Sequence, residues 1–355
     1  MALLEFKCTD FRCLESATLE FTAGRNLIYG ANASGKTSLL EAVGYLARAR
    51  SFRGAGTREI VRHGAEAFVL FGRVGSGRRV VPVGVRNGSD GLEVHIGGER
   101  QASAAGLAEA LPLQVIDPDV HELVAGGPEY RRRYIDWVAF HVEPGYLEEW
   151  RRFRRVLKQR NAALRERLDR AALSGWDLEF AELGQAVDEA RRRMVAVLGP
   201  VLESVGTKLL GSRVGLEYRQ GWPVGSGLAE SLAGSQERDR ELSSTQYGPQ
   251  RADLRLCYDD RQARRLVSRG QQKLLACALI LAASTVVQEA LGKPLTLLLD
   301  DPAAELDTGS VSRLMAAVEA LACQVIATTL DPDKALFSTP PVMFHVEHGR
   351  VRAVP

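Results

Sequence analysis

The residues most able to do chemistry form the run GANASGKT, at 30–37, which satisfies the pattern GxxxxGK[ST]. A strand-like run (NLIYG, 26–30) precedes it and a helical pattern (SLLEAVGYLARAR, 38–50) follows. In that context the backbone N–H groups of Gly30, Asn32, Ser34, Gly35 and Ser38 and the helix N-terminus can cradle phosphate oxygens. Lys36 would reach the β and γ phosphates, and Thr37 would ligate Mg²⁺. An ordinary glycine-rich turn is the competing reading, and the flanking strand and helix weigh against it.

A second block, LTLLLDD (295–301), reads as a buried strand ending in two acids. Asp300 stands at the carboxyl end, where a metal-side carboxylate belongs in a parallel sheet. Asp301 could orient or deprotonate an attacking water. Alone, such a run is as well explained by a capped turn; beside a phosphate loop it predicts a P-loop nucleotidase. No NKxD-type base-reading segment is present, which favours ATP over GTP.

The third block is SRGQQ (268–272), ahead of an apolar helical run. Ser268, Gly270 and Gln271 could form a second anion site at a helix start, or Ser268 could simply cap a core helix. The stretch alone favours the cap.

At the N-terminal end LLEF (3–6) and NLIYG read as short strands. After residue 247, the strands LTLLLD and QVIATT (324–329) with a helix over 310–321 between them give a strand-helix-strand order that predicts a parallel sheet. Residues 68–100 read as antiparallel hairpins turning at Gly75-Ser76-Gly77 and Asn87-Gly88. Between the chain ends, residues 129–210 predict two long helices broken near Ser174-Gly175-Trp176 and closed near Gly199-Pro200, followed by a Gly/Ser-rich loop over 221–245. The expected layout is an α/β head, 1–112 with 247–355, carrying a mainly helical insertion over 113–246.

Composition narrows the function classes. The 355 residues carry 46 basic and 44 acidic side chains, a net charge of +2, so any nucleic-acid surface must come from uneven charge placement. Five cysteines include no CxxC pair, which points to reduced thiols rather than a disulfide frame or a zinc site. The apolar run 274–287 is shorter than the roughly 20 residues a bilayer requires, and the N-terminus lacks a signal peptide. A cytoplasmic protein with no membrane partner is expected.

Phosphate loop, then Ser-x-Gly-Gln-Gln, then strand-Asp-Asp and PAAELD (302–307), is the order seen in ABC-type ATPases. More specifically, TDFRCLESATLEF (9–21), the loop with its helix (30–53), GGPEYRRRYIDW (126–137), YGPQRADL (247–254), SRGQQKLLACALILA (268–282) and LLLDDPAAELD (297–307) resemble the RecF family of bacterial recombination and repair proteins. The resemblance implies an ABC-type head with ATP and Mg²⁺ as cofactors and an ATP-dependent homodimer. Ser268 would then act in trans with Gly270 and Gln271, and Glu305 to Asp307 would cross the dimer interface. It places a nucleotide-contacting arginine at Arg12 and a magnesium-sensing glutamine at Gln114. It also implies binding of double-stranded DNA beside single-stranded gaps, partnership with RecR and RecO, and a weak, DNA-stimulated ATPase used as a switch.

Ala33 departs from the glycine usual in such loops and would be strained if its φ is positive. Ala252 stands where family members often carry Asp. Thr328 and Thr329 occupy the place of a switch histidine, which implies slow hydrolysis. A transporter ATPase is disfavoured by the 232 residues between Lys36 and Ser268, and a chromosome-maintenance or Rad50-type clamp by helices too short for sustained heptads. The run 148–170 holds nine basic residues against four acidic. It reads as a solvated face or, in a dimer, as a DNA groove contacted by Arg151, Arg152, Arg154, Arg155 and Lys158. The Arg131–Arg133 run could instead bind carboxylates such as Asp136.

Overall fold

The computed structural model describes residues 1–77, 79–332 and 336–354, with backbone alone at 76, 170–172 and 265. The chain forms two compact units, Met1–Val120 with Leu291–Pro355, and His121–Ala290.

The first unit is built on two six-stranded sheets. In the central sheet, Leu113–Ile116, Thr296–Leu299, Gln324–Thr329, Arg25–Tyr29 and Val342–Glu347 lie side by side and parallel, and Arg350–Val354 closes the edge as a hairpin. Strands buried on both faces need continuous apolar runs, which is how TLLL comes to be fully buried. The second sheet is antiparallel and ordered Leu14–Glu20, Ala2–Phe11, Ala67–Ser76, Arg79–Gly88, Gly91–Ile96, Glu99–Arg100. Its strands alternate between buried and exposed positions, as a sheet with one solvated face requires. The helix Lys36–Arg48 shares one core with both sheets: Leu39, Leu40, Val43 and Leu46 pack with Phe6, Phe11 and Phe68 of the antiparallel sheet and Leu298, Ile326 and Phe344 of the central one. Gln324 ties the sheets together. Its side chain accepts from Leu3 N at 2.8 Å and donates to Leu3 O at 2.7 Å.

The second unit holds the helices Pro128–Val142, Tyr146–Arg165, Arg170–Leu210 and Leu228–Glu241, most of Arg269–Leu291, and a three-stranded antiparallel sheet. Arg160 is fully buried within it. It donates to Asp177 and Asp239 at 2.7 Å each and to Thr245 at 2.8 Å, so one side chain joins three helices. The helix Arg269–Leu291 is long and apolar enough to cross a bilayer, but it is buried from Lys273 through Ser284 as the core of this unit.

Several sequence expectations shift. The unit boundaries fall at 120/121 and 290/291 rather than 112/113 and 246/247. Leu113–Ile116 is an edge strand of the central sheet, paired with Thr296–Leu299. Asp253–Tyr258 pairs with Val214–Arg219, and Tyr134 donates to Leu279 O at 2.9 Å, which draws residues 247–290 into the helical unit. The expected break at 174–176 and closure at 199–200 are absent: Arg170–Leu210 runs through both, and the break lies before it. Ser and Gly each cost a helix under about 1 kcal/mol and Pro200 about 3 kcal/mol, together less than burying Leu173, Phe180, Val187 and Leu198 returns. Residues 228–241 of the expected loop are helical because Leu228 and Leu232 share one buried face. In the hairpins, Gly75, Ser76, Asn87 and Gly88 all stay in their strands, and the second turn follows at Ser89-Asp90.

Candidate functional site: the nucleotide loop and its acids

The phosphate loop joins the central strand Arg25–Tyr29 to the helix Lys36–Arg48. Close approach dictates its glycines. A Cβ on Gly30 would stand 2.2 Å from Val346 O, and Gly35 starts the helix at φ 115°. Ala33 adopts φ 60°, so the strain expected from an alanine there is present. Asn32 is exposed at the loop tip, and Ser38 accepts a weak bond from Cys13 Sγ at 3.6 Å.

Lys36 Nζ donates back to Gly30 O at 2.9 Å and Ala31 O at 2.8 Å. Burial holds its ammonium below the ordinary lysine value, and the nearby carboxylates of Asp301 and Asp300 work against that shift. Thr37 Oγ1 donates to Asp300 Oδ1 at 3.1 Å, and Thr328 Oγ1 donates to the same oxygen at 2.7 Å. Thr328 also accepts from Asp301 N at 2.9 Å, so the residue in the switch position aligns both acids. Asp301 turns through φ 46°, directly after the strand. Burial raises the Asp300 carboxyl above the usual carboxylate range, against the two threonine hydrogen bonds that lower it.

The structure thus gathers Lys36, Thr37, Asp300 and Asp301 at the carboxyl edge of the sheet. Two features fit an anionic ligand with a hard cation. Ser34 Oγ is buried without a hydrogen-bond partner, in a loop of backbone amides, as a donor awaiting an acceptor would be. The Thr37 hydroxyl and Asp300 carboxylate supply the few oxygen donors that Mg²⁺ takes from protein when phosphates and water complete its shell.

Other expected site residues are placed differently. Gln114 pairs in register with Leu297, three residues below Asp300, and its side chain accepts from Arg48 at 3.3 Å. The strand ends level with the acids at Ile116, whose carbonyl accepts from Asp300 N at 2.8 Å. Asp117 follows there, its carboxyl pushed up to about 6 by burial, then by Asp119 and Asp300. Sequence reasoning missed Asp117, although an acid directly after a buried strand was the signal already used for Asp300. Arg12 forms a bidentate pair with the buried Glu41 at 3.0 and 2.9 Å and donates to Glu59 O at 3.2 Å, which engages three of its five side-chain N–H groups within the protein. Asp307 caps the helix Thr308–Ala320: its Oδ1 accepts from Ser310 N at 2.8 Å, and the Ser310 hydrogen bonds hold its carboxyl below the usual range.

Ser268 lies in the other unit and forms a capping box. Ser268 N donates to Gln271 Oε1 at 2.9 Å, and Gln271 N donates to Ser268 Oγ at 3.4 Å. Gly270 is the second residue of that helix. The local capping role is therefore real. Arg151, Arg152, Arg154, Arg155 and Lys158 all lie exposed on one helix, whose other face buries Phe153, Val156 and Leu157. Arg131 pairs with Asp253, while Asp136 is taken by Arg191 at 2.7 and 3.0 Å.

A family model described as "RecF/RecN/SMC N terminal domain" matches residues 2–349. A protein named "DNA replication and repair protein RecF" from Thioalkalivibrio sulfidiphilus is 41% identical over 357 residues, covering 99% of each chain. Another of that name from Chromohalobacter salexigens is 43% identical over 359 residues, again covering 99% of each. Among solved structures, the recombination mediator protein RecF with an ATP analogue, of the RecFOR pathway, superposes with a TM-score of 0.89 at 26% identity, covering 100% of this chain and 98% of that one. An Smc head bound to a winged-helix domain of ScpA shares the fold, with a TM-score of 0.63 at 16% identity over 100% of this chain and 97% of that one. The loop and the acid pair stand on an ABC-type head shared with these proteins, and this chain belongs to the RecF family.

Proposed function

We propose that this protein is an ATP-dependent DNA-binding protein of recombinational repair. In this reading ATP drives two copies together head to head on duplex DNA near single-stranded gaps, and slow hydrolysis returns them to monomers. Acting in the cytoplasm with partners of the RecR and RecO type, it helps load a recombinase. The observation that carries the reading is the joining of Thr37 and Asp300 beside Lys36, with Ser34 Oγ buried and unpartnered in the same loop.

Each residue has a definable task. The loop amides and Ser34 bind phosphate oxygens, and Lys36 leaves the Gly30 and Ala31 carbonyls for the outer phosphates. Thr37 and Asp300 would hold Mg²⁺, which would supply positive charge to offset that of the phosphates. Asp301, turned out of the strand and braced through its backbone by Thr328, orients water and takes its proton. Ser268, Gly270 and Gln271 present a helix start to the γ-phosphate held by a second copy. The exposed arginines Arg151, Arg152, Arg154 and Arg155, with Lys158, contact the DNA backbone, which gives weak sequence preference.

Analytical sedimentation with and without ATP tests this, comparing the native chain with Ser268→Arg. ATP shifts the native chain to dimers, whereas Ser268→Arg stays monomeric while still binding nucleotide. A native chain that remains monomeric with ATP, or a Ser268→Arg chain that dimerises normally, defeats the reading.

A further inference from the structure

Two blocks of the sequence, GGPEYRRRYIDW and YGPQRADL, meet inside the His121–Ala290 unit and take no part in the nucleotide site. Arg131 Nε donates to Asp253 Oδ1 at 2.7 Å and Arg131 Nη2 to Oδ2 at 3.2 Å. This pair forms part of the wall of a cavity of about 110 Å³, which Arg219, Arg255 and Arg264 also line. Asp253 is the one carboxylate among the lining residues. Both its oxygens are already committed to Arg131, and Leu254 N also donates to Oδ1 at 2.8 Å.

Of the other three guanidiniums, one has a buried N–H without a partner and two face solvent unpaired among the described residues. Arg255 Nη1 reaches Glu217 at 3.3 Å, but its Nε is buried with no partner. Arg219 and Arg264 have no ion pair or side-chain hydrogen bond among the described residues. Four arginines against Asp253 and Glu217 leave a formal charge of +2. A buried N–H without an acceptor costs stability, and Arg255 is part of the cavity wall, so an anion entering there would meet a free donor. The volume is that of roughly three or four waters at 30 Å³ each. That space suits one tetrahedral oxyanion.

We propose that this cavity binds a single phosphate group. Arg255 Nε and Arg264 donate to its oxygens, Arg219 closes the rim, and the Arg131–Asp253 pair is the rigid wall. Planar guanidiniums match phosphate oxygens in pairs, and a +2 surround suits a phosphate better than a lone carboxylate. The phosphate is either a free ion or one unit of a nucleic-acid backbone. Only the second source rests on the DNA-binding reading. Arg264 stands four residues before Ser268, so a bound phosphate also fixes the turn that leads into the capping box.

The test uses full-length protein carrying Lys36→Ala, which removes phosphate binding at the nucleotide loop, with and without Arg219→Gln and Arg264→Gln. Both arginines are exposed, so the double change leaves the fold intact. In one arm, inorganic phosphate is titrated at constant ionic strength and followed by ³¹P line broadening. The two arginine changes are expected to weaken binding by at least about tenfold, the loss of charge-assisted hydrogen bonds. In the other arm, duplex DNA affinity is measured against salt for the Arg219→Gln/Arg264→Gln chain with Lys36 intact. A slope of log affinity on log salt reduced by about one identifies a backbone phosphate. Weakened free-phosphate binding with an unchanged slope identifies the free ion. If neither readout changes, the site is refuted. If the native chain binds no DNA at all, the phosphate arm alone decides the matter, and only the DNA-binding reading falls.

Discussion

Thr37 Oγ1 lies 3.1 Å from Asp300 Oδ1 although 263 residues separate them in sequence. The contact is possible because the strand that leads into Thr37's helix, Arg25–Tyr29, and the strand that ends at Asp300, Thr296–Leu299, sit one apart in the central sheet, with Gln324–Thr329 between them. Thr328 in that intervening strand donates to the same carboxylate oxygen. The first turn of the Lys36–Arg48 helix and two strands thus converge on one carboxylate, which makes Asp300 an exacting position in the site. Asp300→Asn keeps the shape but removes the charge. ATP turnover is expected to fall at least about 100-fold, the scale seen when one preorganised electrostatic group is lost. Nucleotide affinity should also lose its dependence on Mg²⁺, which a binding titration with and without the cation checks.

The capping role of Ser268 and its proposed role toward a second copy can be separated by one substitution. Aspartate is as good a helix cap as serine, so Ser268→Asp should keep thermal stability within about 0.5 kcal/mol. It also puts a negative charge where a second copy's phosphate would arrive, and ATP-driven dimerisation should be lost. Ser268→Ala should show the reverse emphasis, costing about 1 kcal/mol of stability and weakening dimerisation less.

Ala33 holds φ 60°, which costs an L-residue roughly 1–2 kcal/mol. Ala33→Gly removes that strain and adds back unfolded-state entropy of about 0.4–1 kcal/mol. A net gain of about 0.5–1 kcal/mol in urea unfolding is expected.

Asp117 gives the protein a pH dependence of definite sign. Its carboxyl titrates near about 6 in the folded chain, against an ordinary value of 3.8. Between those values the folded state holds the proton that the unfolded state has released, so stability falls as pH rises from 4 to 6 and stays lower above it. Asp117→Asn should flatten that part of the pH profile and raise stability at pH 7 by roughly 2–3 kcal/mol. Denaturant midpoints at several pH values measure it.

Much of the nucleotide site was legible because its signals are local. GANASGKT and LLLDD each carry their own strand, turn or helix context, and the departure at Ala33 could be read from a single residue. The rest depended on partners far away in sequence. Gln114 looked available for a metal until register set it against Leu297 and Arg48 claimed its oxygen. Arg12 had no visible partner until Glu41 proved buried beside it. Arg160 was one basic residue among nine on its segment, and only the folding of the Leu228–Glu241 helix onto it made it a core residue. Helix continuity through Ser174-Gly175 and Gly199-Pro200 was likewise a tertiary outcome that propensity could not supply.

The placement of Arg25–Tyr29 between Gln324–Thr329 and Val342–Glu347 has a consequence for how the protein is made. The strand that leads into the nucleotide loop emerges early from the ribosome, but both of its neighbours emerge about 300 residues later. At roughly 5–20 residues per second the loop waits some 15–60 s for the strands that brace it. The His121–Ala290 unit, contiguous in sequence, can fold in the meantime. A nascent chain released before residue 324 would therefore carry a finished helical unit and a head unable to complete its central sheet.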